Sequence, residues 1–476
     1  MNRKTSLAKA FLLPFLAIAV ICGCRTSAPV EIENGMLKRE LARTIPAECK
    51  TLTLDDAVQI ALANNPDYAS TLYSFRAARA RFYQKLAEHL PTVTAGYTQT
   101  EYYYTPTASG GTGDKNIYTK LSGNIEANWL IFDGLVRTME SFSKLHESRQ
   151  YEAMNRDSRR LLVESVTKAY NDVLLASEGI KIAKADREFN ARLLKEAEIK
   201  FEAGASASSD VLNFKIKVNN ADLTLIAEEY SYKSSRYVLA ALMGFTESDL
   251  PQDLALAELE PLKAGPSLSI QTCLENALAN RPDLQAYREA LDSARYDRWA
   301  KWGEFLPNIS AFVNRGYARN NPHYDGRYDN QPRGQDKSFN YGLTGNWEIF
   351  SGGKNLAALK ESYANLEKAE QDLVAKWISV VNEVRQAYDS YEEAAKLLSL
   401  YEDNDKLTKQ TRDLVEQEYK AGNTTLTRVN EVQKDVVDAE TGLISARIKL
   451  KNSKTQLDTA IGDNEPSTPV KQEQKP

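Results

Sequence analysis

Hydrophobic positions along this chain change period in the same order twice. From Leu54 to Asn64 and from Ile270 to Asn280 apolar residues recur at helical spacing. Each run follows a hydroxyl residue able to cap a helix, Thr53 or Ser269, and ends at a proline, Pro66 or Pro282. A second helical run leads from each proline to Leu90 or Leu306. The period then drops to two. Ile117, Leu121, Ile125, Ala127, Trp129 and Ile131 fall on one face, and Tyr118, Lys120, Ser122, Asn124, Glu126 and Asn128 on the other. Phe339, Tyr341, Leu343, Trp347 and Ile349 against Ser338, Asn340, Thr344, Asn346 and Glu348 repeat the alternation. Less regular partner strands are predicted over 92–104 and 308–320, so that each half holds two strands: 92–104 with 117–131, and 308–320 with 338–350. Pro106 to Lys115 and Asn321 to Lys337, rich in glycine, proline and polar residues, read as exposed loops between them.

Long helical runs follow. Leu359, Tyr363, Leu366, Leu373, Trp377, Val380, Val384, Ala387, Tyr391, Ala394, Leu398 and Tyr401 step by fours and threes, a coiled-coil seam with one polar interruption at Glu370. At about 1.5 Å per residue such a helix is roughly 100 Å long, too long for an ordinary globular domain. Gly204 and Gly422 end these helices in small polar turns, and returning helices run to Gly244 and Gly462. Antiparallel hairpins over 135–244 and 354–462 are the expected result.

The two halves are one unit duplicated. Leu62-Ala63-Asn64-Asn65-Pro66-Asp67 returns 216 residues later as Leu278-Ala279-Asn280-Arg281-Pro282-Asp283. Trp129-Leu130-Ile131-Phe132-Asp133-Gly134 returns 218 later as Trp347-Glu348-Ile349-Phe350-Ser351-Gly352, and Phe201-Glu202-Ala203-Gly204 returns at 218 as Tyr419-Lys420-Ala421-Gly422. Two residues are therefore gained in the loop between strands. The repeats are assigned to 52–262 and 263–462, with a flexible tail over 463–476.

The first residues carry Arg3, Lys4 and Lys9 before an apolar run from Ala10 to Gly23, too short to span a bilayer and placed where a secretory signal lies. Ile21-Cys22-Gly23-Cys24 resembles a bacterial lipobox. The expectation is a signal peptide over 1–23, an acylated Cys24 and an anchor segment over 24–51. Arg25 after the acylated cysteine is compatible with the outer membrane. No later apolar run reaches the length of a membrane helix, so a membrane would be crossed by strands. Four strands cannot close a barrel, because open edges are not tolerated in lipid; subunits must pool them, two giving eight and three giving twelve.

Of 476 residues 42% are hydrophobic and 26% charged, and the net charge of −5 includes no basic stripe, which excludes nucleic acid as a partner. His89, His146 and His323 are scattered, and no nucleophile elbow, phosphate loop, metal-ligand spacing or paired-carboxylate constellation occurs, so neither enzyme chemistry nor a cofactor is expected. Cys49 and Cys273 could pair in an oxidising compartment, but Cys273 aligns with Ala57 and reads more simply as a small core residue.

This duplicated order of short helices, two strands ending in Trp-x-x-Phe-x-Gly, a long helix, an aromatic-x-Ala-Gly turn and a returning helix resembles the TolC-like outer membrane efflux proteins, over Leu52 to Gly462. The anchor fits the lipoprotein branch. The resemblance implies a mostly helical homotrimer with a twelve-stranded transmembrane β-barrel continued by a periplasmic α-barrel. It also implies docking to a periplasmic adaptor and an inner-membrane transporter, in drug efflux or type I secretion. It places the periplasmic gate at Tyr419, Asp210, Arg428 and Glu431, with Gly204 and Gly422 at the hairpin tips that meet the adaptor. Arg428 stands where relatives commonly carry an acid. Asp210 and Arg428 lie 218 apart, at equivalent positions with opposite charge, and are expected to latch the closed aperture. The alternative reading is a lipid-anchored periplasmic coiled-coil adaptor or structural protein, which would not need four strands of membrane-crossing length.

Overall fold

The structure, a computed structural model, describes residues 31–33, 36–38, 51–104, 116–204, 207–251, 254–257, 269–322 and 334–463. The signal segment, Cys24, Cys49, the loop residues 105–115 and 323–333, and the tail beyond 463 lie outside the described residues.

Strands β1 (Glu31–Glu33) and β2 (Met36–Lys38) pair with each other, and β3 (Thr51–Leu52) pairs in parallel with β6 (Ala255–Leu256). The larger elements come in two matching sets. The first holds α1 (Leu54–Asn64), α2 (Pro66–Ala87), β4 (Thr92–Tyr104), β5 (Asn116–Phe132), α3 (Val136–Glu202) and α4 (Ser208–Leu242). The second holds α5 (Ile270–Asn280), α6 (Pro282–Gly303), β7 (Asn308–Pro322), β8 (Gln335–Asn346), α7 (Lys354–Lys420) and α8 (Leu426–Ile461).

Local chemistry sets the breaks. The Thr53 and Ser269 hydroxyls accept the N–H groups of Asp56 and Thr272, satisfying donors that the first turn leaves open. Asn65 caps α2 by accepting from Asp67 and Tyr68. Helices α2 and α6 stop three residues short of Leu90 and Leu306. The N–H groups of His89 and Leu90 turn to carbonyls three residues back, as does Leu306, and the chain tightens before Pro91 and Pro307. Helices α3 and α7 are 67 residues each, on the order of 100 Å long.

The four long strands form one antiparallel sheet in the order β4-β5-β7-β8. Thr92 faces Asn128 in the first repeat, and Asn308 faces Asn346 in the second. These pairs are equivalent at offsets of 216 and 218, so the register is the same in both copies. One sheet face carries Val93, Tyr97, Ile125, Trp129, Val313, Tyr317, Phe339, Tyr341 and Leu343, all exposed in the single chain. The opposite face carries Thr94, Thr98, Asn124, Glu126, Asn128, Asn314, Ser338, Asn340 and Thr344. Asn314 donates to Glu126 across β5 and β7 on that face (3.4 Å).

The last strand corrects the expected span of 338–350. It runs Gln335–Asn346 and leaves Trp347 to Phe350 beyond it. Its neighbour β7 begins at Asn308, after Pro307, so residues past Asn346 meet no ladder partner among the described residues. The expected loop at 321–337 likewise shortens, since both of its ends are strand.

Each helical hairpin packs against its own short helices around a separate core. In the first, Tyr170 donates to the carbonyl of Leu52 (2.9 Å) inside a cluster with Val166, Val173, Leu239 and Met243. In the second, Cys273 is fully buried with Val380, Val384, Leu450 and Ile461. Of the expected seam, Leu359, Leu366, Val380, Val384, Ala387, Tyr391, Ala394 and Leu398 are buried, while Tyr363 and Tyr401 are more than a third exposed. Helix α3 also packs along α6 and α8, which ties the copies together.

Candidate functional site

The four helix ends farthest from the sheet converge on one small core. Phe189, Leu193 and Ala197 of α3, Phe214 of α4, Val415 of α7, and Val429 and Val432 of α8 are buried there, with Val211, Tyr419 and Leu426 packed against them. Both turns need a left-handed residue, and Gly204 (φ +73°) and Gly422 (φ +79°) supply it. Gly422 donates to the carbonyl of Tyr419 and Asn423 to that of Glu418, the paired bonds of a Schellman turn. Among the described residues nothing lies within 4 Å of where a side chain would begin at either glycine, so both positions present bare backbone. Thr425 caps α8 by accepting from the N–H of Arg428 (3.4 Å).

Tyr419 sits between the copies. The Lys200 ammonium lies over its ring, 4.2 Å from the centroid, and donates to its hydroxyl. Lys200 belongs to the first repeat and Tyr419 to the second, so this contact clasps the two tips together. Sequence reasoning missed Lys200. It is one of many lysines on a solvated helix, and its partner is 219 residues away. The only signal was that it precedes Phe201, the counterpart of Tyr419.

Of the other predicted gate residues, Asp210 and Arg428 occupy the first turns of the returning helices and Glu431 the second. Asp210 lies in the first turn of α4. Arg428 pairs with Glu431 one turn along α8 (3.0 Å), both more than half exposed. Within one chain, then, Arg428 is engaged by its own helix. Deeper in the tip, burial pushes the Asp186 carboxyl up, against hydrogen bonding from Gln433 of the opposite copy (3.3 Å) and from Asn190. The Arg187–Asp222 pair joins α3 to α4.

A second polar cluster lies midway along the molecule, where the repeats meet. Asp283 receives Arg281 (2.6 Å) and Lys376 (2.8 Å), and Arg160 of the first repeat reaches within 4.0 Å. Arg281 also donates to the carbonyl of Ala460 and Arg160 to that of Thr459. Burial alone would raise the Asp283 carboxyl, but the hydrogen bonds from Arg281 and Lys376 outweigh it and hold it well below the usual carboxylate range. The cluster ties helices of the two repeats together. His146 is likewise structural, paired with Glu289 (2.8 Å) and stacked on Tyr296.

The architecture has counterparts. A family model described as outer membrane efflux protein matches residues 57–245 and 273–463, one span in each repeat. The chain is 25% identical over 425 residues to the alkaline protease secretion protein AprF of Pseudomonas aeruginosa, covering 86% of this chain and 82% of that one. It is 25% identical over 317 residues to outer membrane protein TolC of Vibrio cholerae, covering 66% and 71%. Among solved structures, the outer-membrane channel OprN superposes with a TM-score of 0.73 at 18% identity, over 92% of this chain and 99% of that one. The CmeC outer membrane channel of Campylobacter jejuni gives 0.72 at 16%, over 93% and 96%. A two-faced sheet, two long hairpins and a family match spanning both repeats lead to one conclusion: the chain belongs to the outer membrane efflux protein family, as a passive outer-membrane channel subunit reaching into the periplasm.

Proposed function

We propose that three copies close a twelve-stranded barrel and form the exit duct of a tripartite efflux pump or type I secretion system. The hairpins extend to a periplasmic adaptor and an inner-membrane transporter. One observation carries this reading: the sheet is apolar on one face and polar on the other, yet among the described residues β4 and β8 each have a strand on one side only. Such edges in lipid would leave a row of backbone groups unpaired, so another copy must cover them. The polar face then lines the lumen, and the loops between strands face outside the cell. Residues 1–23 act as the export signal, and Cys24 carries the lipid anchor. The tips form the gate, with the bare turns at Gly204 and Gly422 meeting the adaptor.

The internal seam dictates the one between copies. Glu126 of β5 faces Asn314 of β7. Their repeat counterparts are Thr344 on β8 and Thr98 on β4, so Thr344 of one copy should face Thr98 of the next. Thr98→Cys combined with Thr344→Cys should give disulfide-linked oligomers on oxidation, on non-reducing gels. Thr94→Cys with Thr344→Cys, four residues out of register, should not. Oligomers from both pairs, or from neither, would remove the support for this seam.

A further inference from the structure

The apolar face of the sheet carries one cluster of cations among the described residues. Arg315 and Arg319 on β7 and Lys337 on β8 alternate in phase with Val313, Tyr317 and Phe339, and so lie on the lipid side. Lys337 pairs with Tyr317, which makes Arg315 and Arg319 its diagonal neighbours at about 7–8 Å. All three are exposed, and among the described residues no acid pairs with any of them. The one acid on this face among the described strand residues is Glu101, on β4, two strands from β7. The first repeat has no such cluster, its counterparts being Gln99, Tyr103 and Thr119. Duplication alone therefore does not account for it.

Depth adds a second constraint. Lys337 is ten residues above Trp347, about 34 Å along a strand and roughly 26 Å along the membrane normal at the usual tilt, the height of a barrel's apolar band. Lys337 and Arg319 thus reach the interface on the side away from the helices. Arg315 lies lower, with a side chain long enough to extend its charge upward. Cations left unpaired against hydrocarbon are unfavourable, and a guanidinium matches a phosphate in a two-pronged geometry. From Arg315 to Arg319 is about 13 Å along the strand, too far for a single phosphate to join.

We infer that Arg315, Arg319 and Lys337 form a binding site, once per subunit, for a glycolipid of the outer leaflet that carries two phosphates on a disaccharide. The inference rests on the barrel reading, which places this face in lipid and this end outside. The test uses the full chain purified in detergent, with native mass spectrometry after adding bisphosphorylated lipid A, monophosphorylated lipid A or phosphatidylglycerol. The parent should retain the bisphosphorylated form best. Arg315→Gln with Arg319→Gln and Lys337→Gln should weaken that retention at least about tenfold. Gln99→Ala, at the first-repeat counterpart of Arg315, should leave it unchanged. If the triple variant does not assemble, Lys337→Gln alone is read and should still weaken retention. Undiminished retention by the variants, or equal retention of phosphatidylglycerol, would overturn the site. A parent chain that forms no heat-modifiable oligomer on gels would instead overturn the barrel reading beneath it.

Discussion

Trp347 donates its indole N–H to the backbone carbonyl of Phe305 (3.1 Å), and its repeat counterpart Trp129 does the same to His89 (2.9 Å). In each copy the bond ties the foot of the second strand to the turn that ends the short helix. It forms even though Trp347 lies just beyond β8, so the docking does not depend on the strand ladder. Trp347→Phe and Trp129→Phe keep the apolar ring but lose the donor, and each should destabilise the folded chain by about 0.5–1.5 kcal/mol. The temperature at which oligomers dissociate on gels should fall for both. No change in either would mean that the indole N–H groups are as well satisfied by water or headgroups.

Asp283 couples the copies through charge. With side-chain exposures of 8% for Asp283 and 1% for Arg281, Asp283→Asn would leave Arg281 with Glu383 as its one acidic partner and should cost about 3 kcal/mol at neutral pH. The folded carboxyl is held below its unfolded value of about 3.9, so its stabilisation is complete above that pH and is lost as pH falls through the folded value. Denaturant titrations should show a constant gap between parent and variant from pH 5 to 7, closing only below about pH 4. A gap that closes near neutrality would contradict the charge assignment.

At the tips, Tyr419→Ala or Lys200→Ala should raise single-channel conductance in planar bilayers, and the two together should add little to either. A cation from solvent over a half-buried ring is worth about 0.5–1 kcal/mol, so three clasps in a trimer would bias the aperture by roughly 2 kcal/mol. Additive effects would show that the two residues act separately.

The proposed latch between Asp210 and Arg428 has a competitor in Glu431. Asp210→Arg alone and Arg428→Asp alone should each open the channel, and the double exchange should restore closure. Glu431→Gln separates the cases, because it frees Arg428 for the latch and should not open the channel. A silent Asp210→Arg would leave Arg428 acting only within its own helix.

Cys24→Ser should abolish acylation, read by metabolic labelling with palmitate, while the strands still insert. A variant recovered as a soluble monomer would mean that the anchor, not the barrel, holds the protein in the membrane.

The duplication, the helix starts at Thr53 and Ser269, the breaks at Pro66 and Pro282, and the two-faced strands are all written in short spacings. Each is decided by neighbours a few residues away, through caps, a missing N–H or alternation, and so the sequence alone determines them. The turns at Gly204 and Gly422 belong to the same class. The end of β8 does not, since it depends on where the neighbouring strand begins; nor does the contact of Lys200 with Tyr419, which depends on two helix ends meeting across copies. The motif Leu-Ala-Asn-x-Pro-Asp shows the division most plainly. Its two aspartates are identical in sequence context apart from Asn65 and Arg281, yet Asp67 is exposed in the chain and Asp283 is buried. Helix α3 passes across the second copy and brings Arg160 to Asp283, and no described element of the same chain passes equivalently across the first. Local rules placed both carboxylates at the start of a helix and set Arg281 beside the second; long-range packing, which buries that site and brings Lys376 and Arg160 to it, made one a solvated first-turn residue and the other the centre of a buried charge cluster.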